Sequence, residues 1–72
     1  MKELTSYIKG KIKKGNVNWD TLSIDYILNE EFLREHSESV NWRLVGMVQD
    51  ISDEFRVEMI LKGKDVREKV IE

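Results

Sequence analysis

Apolar residues recur at helical spacing in six short stretches of the chain, with polar punctuation between them. Leu4, Ile8 and Ile12, joined by Tyr7, predict an amphipathic helix from about Lys2 to Lys14, ended by Gly15. Trp19, Leu22, Tyr26 and Ile27 form a second stripe, and Phe32, Leu33 and His36 a third. Leu44, Val45, Val48 and Ile51 form a fourth, and Phe55, Met59 and Ile60 a fifth. After Gly63, Val66, Val70 and Ile71 suggest a short last helix. Together these stripes are the expected core.

The punctuation repeats. Aligning residues 17–39 with 40–62 pairs Val17 with Val40, Asn18 with Asn41, Trp19 with Trp42, Glu31 with Glu54, Phe32 with Phe55 and Glu35 with Glu58. A fixed period of this length is the sequence signature of stacked helical units. Asn18 and Asn41 suit helix N-caps, because a short side-chain oxygen can accept from free amides of the first turn. Val17 with Leu22, and Val40 with Val45, then have the spacing of a hydrophobic staple. Asn29 and Ser52 suit the caps of the following helices, and the acids Glu30-Glu31 and Asp53-Glu54 favour the first-turn dipole. Leu28 and Leu33 staple the first of these helices, whereas Ile51 meets Arg56 in the second.

The expected fold is all-α, a small helical bundle of two 23-residue helical hairpins with flanking helices. In that reading residues 1–16 form a basic N-terminal helix, 17–39 and 40–62 the two units, and 63–72 a short C-terminal helix, within a single domain. The flanking helices would cap the outer faces of the stack. At 72 residues the chain buries a small core, and its stability is expected to be modest or borrowed from a partner, which leaves room for a homo-oligomer.

Charge changes the picture along the chain. Residues 1–16 hold five lysines against Glu3, while residues 17–62 hold ten acids against four bases. A basic arm on an acidic body can touch phosphate through the arm, but the body opposes a long duplex track. There is no cysteine to staple the fold or ligate a metal through thiolate. No stretch reaches the apolar length of a membrane span, and the N-terminus lacks the apolar run of a signal peptide, so the expectation is a cytoplasmic protein without a membrane partner.

Candidate chemistry is thin. His36 is the sole histidine and lies on the apolar side of a predicted helix, where packing explains it better than catalysis, and Ser37 and Ser39 lie too near it in sequence to suggest a triad. No catalytic residue, metal ligand or cofactor is expected. The acids Glu30, Glu31, Glu35, Asp53, Glu54 and Glu58 are the candidate surface for a partner protein. Lys9, Lys11, Lys13 and Lys14 are the candidate phosphate contacts, with Lys2, Lys9 and Lys13 expected near one helix face. Trp19, Phe32, Trp42 and Phe55 are expected as the repeated core rather than as a stacking platform.

The offsets from each tryptophan resemble a short repeat found in proteins of giant DNA viruses and some bacteriophages, with a consensus close to "VDWxxISxYQxLSExFIREFxDxVDW". The first unit is similar at Val17, Trp19, Leu22, Ser23, Leu28, Glu30, Phe32, Leu33, Arg34 and Glu35. The second is similar at Trp42, Val45, Gln49, Ile51, Ser52, Asp53, Phe55 and Glu58. The chain departs from the consensus at Tyr26, which replaces glutamine, at Gly46, which replaces serine, and at His36 and Met59, which replace phenylalanine. The resemblance implies a helical fold and a viral or phage origin, and no activity, since the functions of that family are mostly unassigned.

The functional expectation is a non-enzymatic protein-binding module that docks on and modulates or inhibits a host or viral protein, of host-takeover or anti-defence type, in the host cytoplasm if viral. The alternative is a regulatory nucleic-acid-binding protein that uses the Lys-rich first helix. Against that alternative, the predicted recognition helices, Glu30 to Ser39 and Asp53 to Lys62, both begin with acids.

Overall fold

Each helix of the computed structural model, which describes residues 1–69, starts on a side-chain cap and stops within a few turns. The order is α1 (Ser6–Lys13), α2 (Trp19–Asp25), α3 (Glu30–Glu35), α4 (Trp42–Val48) and α5 (Asp53–Leu61). The caps of α2 to α5 are the four expected residues. Asn18 Oδ1 accepts from the Thr21 amide at 3.1 Å, and Asn29 Oδ1 from Phe32 at 2.8 Å. Asn41 Oδ1 accepts from Arg43 and Leu44, and Ser52 Oγ from Phe55 at 3.2 Å. Local chemistry therefore sets where these helices begin.

The core is contributed mainly by α3, α4, α5 and their staples. Leu28, Leu33, Val40, Trp42, Val45, Phe55 and Met59 form one buried cluster, with Leu4, Trp19, Tyr26, Phe32, Ile51 and Val66 packed partly buried around it. Leu28 and Val40, which precede caps, are buried as staple positions require. Three expected core residues face solvent instead: Tyr7, Ile27 and Ile60. Tyr7 and Ile60 lie on the outer sides of α1 and α5, and Ile27 sits in the linker before α3. Helix α2 packs on α4, and the molecule measures 31 × 28 × 16 Å, so it is a slab about two helix layers thick.

One aromatic arrangement occurs twice. Trp19 and Phe32 have ring centroids 6.2 Å apart at 42°, and Trp42 and Phe55 have centroids 6.0 Å apart at 43°. The Trp42–Phe55 pair is buried, and the Trp42 indole N–H donates to the Ser37 carbonyl at 2.8 Å. The Trp19–Phe32 pair is only half-buried. Two acids tie segment 17–39 to the caps of segment 40–62: Asn41 Nδ2 donates to Asp20 Oδ1 at 2.9 Å, and the Ser52 amide donates to Glu30 Oε2 at 2.8 Å.

The joint between the segments is built on Gln49, whose side chain is fully buried. Its Oε1 accepts from the Leu28 amide at 3.0 Å, and its Nε2 donates to the carbonyls of Ser23 and Tyr26, each at 2.7 Å. Those three groups belong to the break between α2 and α3, where main-chain groups have no helical partner. The matching position in the first segment is Tyr26, and there the main chain is satisfied by the N-terminus. Lys2 donates to Asp25 O and accepts from the Ile27 amide, both at 2.8 Å, in a parallel bridge.

That bridge corrects the first expected helix. Lys2 to Leu4 run extended, and α1 begins only after Thr5, whose hydroxyl accepts from the Ile8 amide at 3.2 Å. The two hydrogen bonds to residues 25 and 27 and the packing of Leu4 hold the first residues outside the helix. Lys2 consequently does not share a helix face with Lys9 and Lys13.

The C-terminal segment is a second correction: residues 64–69 are not helical. Gly63, at φ 87°, ends α5 in a Schellman turn, with its amide donating to Ile60 O at 2.9 Å and the Lys64 amide to Met59 O at 3.0 Å. Gly15, at φ 72°, ends α1 in the same way. Beyond the turn, ion pairs spread the segment over its neighbours: Lys64 with Glu38, Asp65 with Arg43, and Lys69 with Asp50. Arg56 donates to the Arg67 carbonyl, and a Cβ at Gly46 would collide with the Arg67 main chain, so glycine is needed where this strap crosses α4. Val70 and Ile71, the other expected members of a last helix, lie outside the described residues.

Candidate functional site: a groove between α1 and α3

Helix α1, which runs from the cap at Thr5 to the turn at Gly15, and helix α3 both line a cleft of about 640 Å³. Its floor is apolar, made by Leu4, Ile12, Ile27, Phe32 and His36. Lys9 and Lys13, one turn apart, supply charge from α1. Glu31 and Glu35, also one turn apart, supply the opposite charge from α3, and Glu3, in the extended segment before α1, adds a third acid. Among the described residues none of these five makes an ion pair.

Two of these lining rings, Phe32 and His36, form a cluster of three mutually tilted rings with Trp19. His36 is 4.5 Å from Phe32 and 5.3 Å from Trp19, centroid to centroid. The sole histidine thus lines the groove while held by aromatic packing, which makes it part of the wall rather than a group presented alone.

The groove divides both sets of sequence candidates. Of the six acids, Glu31 and Glu35 face the groove, whereas two others are occupied within the fold. Glu30 accepts the Ser52 amide. Glu58 receives the Arg34 guanidinium on both oxygens, at 3.1 and 2.9 Å, and Lys62 at 3.3 Å. Those hydrogen bonds, that of Arg34 foremost, hold the Glu58 carboxyl down to about 2. Arg34 also lies over the Phe55 ring at 4.9 Å, bracing α3 against α5. Asp53 and Glu54 are exposed in the first turn of α5, away from the groove.

The lysines divide in the same way. Lys9 and Lys13 line the groove, Lys11 stands 5.0 Å over the Tyr7 ring, and Lys14 caps α1. No single face gathers the basic set. The expected recognition helix from Glu30 to Ser39 also shortens, because α3 stops at Glu35 and residues 36–39 form a turn. No family model matches the chain. Neither a curated protein nor a solved structure matches it.

The sequence shows each pair of like charges at helical spacing but not that α1 and α3 line one groove. Nothing in the spacing reveals that the Gln49 side chain serves a break 21 to 26 residues earlier. Among the described residues no helix is long and apolar enough to cross a membrane, and no group of three or more histidines and acids has the arrangement of a metal site.

Proposed function

We propose that this chain is a non-enzymatic protein-binding module whose docking face is the groove between α1 and α3. The observation that carries the reading is a cleft lined by apolar side chains and by five charges, Glu3, Lys9, Lys13, Glu31 and Glu35, none of them in an ion pair among the described residues. Apolar surface rimmed by charge is the anatomy of a protein interface, where the floor supplies affinity and the rim supplies orientation and partner choice. Binding would modulate or inhibit the partner by occupancy. His36, packed against the tilted rings of Phe32 and Trp19, and Glu58, committed to Arg34, support a recognition role over catalysis. Origin in a virus or bacteriophage, and hence a host or viral target, belongs to the same proposal and rests on the sequence resemblance alone.

The nucleic-acid reading loses support from the same geometry. A phosphate approaching Lys9 and Lys13 would meet Glu31 and Glu35 across the cleft. Affinity capture with the full chain, alongside the groove variant Phe32→Glu with its fold checked by circular dichroism, tests the proposal. The expected result is a stoichiometric protein retained by the parent and lost by the variant. Equal retention by both, or retention of nucleic acid alone, would overturn it.

A further inference from the structure

Helices α1 and α3 bring opposite charges to the groove at matched spacing, with Glu3 before α1 as one further acid, and this restricts what can lie in it. Lys9 and Lys13 stand on α1, and Glu31 and Glu35 on α3, each pair one helical turn apart. Between them run the side chains of Ile12 and Phe32. A ligand that satisfies this lining must present three things at once: an apolar seam downward, acids toward α1 and bases toward α3.

An extended strand cannot do so, because its side chains point alternately up and down and its two edges are main chain. A helix can, since side chains surround it and charges four residues apart on either flank repeat at the spacing of each bank. A uniformly basic or uniformly acidic helix would meet one bank favourably and the other with like charge. From this complementarity we propose that the groove receives an amphipathic helix of a partner protein, with acids along one flank of its apolar seam and bases along the other. This inference rests on the protein-docking reading above and names the chemistry of the partner.

The groove also has a built-in symmetry. A helix turned end for end exchanges its flanks, so reversing all four helix charges should leave the same ligand acceptable in the opposite direction. Reversing only one bank should not.

The test uses the full chain and three labelled helical peptides of about 14 residues, roughly 21 Å long, that share one leucine seam. One peptide has a glutamate flank and a lysine flank, one has glutamates on both, and one has lysines on both. Fluorescence anisotropy should show the divided peptide binding about tenfold more tightly than either uniform peptide. K9E/K13E should shift the preference to the all-lysine peptide, and E31K/E35K to the all-glutamate peptide. The fourfold reversal should restore preference for the divided peptide, with circular dichroism reporting that each variant is folded.

Equal binding of all three peptides, or a preference that ignores the reversals, would overturn the inference. Tighter competition for the groove by a duplex oligonucleotide, or by a second copy of the chain, would overturn it as well. Failure of the divided peptide to bind also overturns it, while loss of a captured protein in Phe32→Glu would still stand for the broader docking reading.

Discussion

Two residues decide how this small fold is joined. Gln49 closes three main-chain groups left open where α2 gives way to α3, and it does so from a buried position. Gln49→Leu keeps the bulk but strands one amide and two carbonyls, so a loss of about 3 kcal/mol is expected in urea unfolding. A loss comparable to that of an ordinary surface substitution would contradict the role given to the glutamine. Gly46 is the counterpart on the other side of α4, where the Arg67 main chain crosses too closely for a Cβ. Gly46→Ala should lift the strap at a cost of about 1–3 kcal/mol and speed tryptic cleavage at Lys64 and Arg67. Unchanged cleavage would mean that the strap is not seated there. Neither residue announces its task in the sequence, because each serves main chain that is distant along the chain.

At the scale of elements, the helix starts were legible and the ends of the chain were not. Asn18, Asn29, Asn41 and Ser52 act on amides two or three residues away, so local sequence suffices to place α2 to α5. The onset of α1 and the path of residues 64–69 depend instead on tertiary partners: residues 25 and 27 for Lys2, and α4 with its neighbours for the strap. The link between α3 and α5 should show itself in pH dependence. Glu58, about a third exposed, has its pKa lowered in the folded state by Arg34, so this contribution is present above the ordinary carboxylate pKa near 4.5. It is lost as the pH falls from there toward about 2. Glu58→Gln should therefore lose less stability than the parent across that window in thermal melts at stepped pH. Parallel curves for the two proteins would contradict the assignment.

For the whole molecule, the slab presents unlike faces. The α1–α3 side carries the cleft with its divided charge, while the outer side of α5 exposes Val57, Ile60 and Leu61. The acids and lysines of the cleft were visible in the sequence as separate sets, and only the fold brings Lys9 and Lys13 opposite Glu31 and Glu35. That juxtaposition is the reason for assigning recognition to the cleft rather than to the acidic surface as a whole or to the basic helix alone. Hydrogen–deuterium exchange on the complex with a captured partner tests the assignment most directly. The account predicts new protection confined to residues 9–13 and 30–36; protection centred on residues 57–61, with the cleft unchanged, would contradict it.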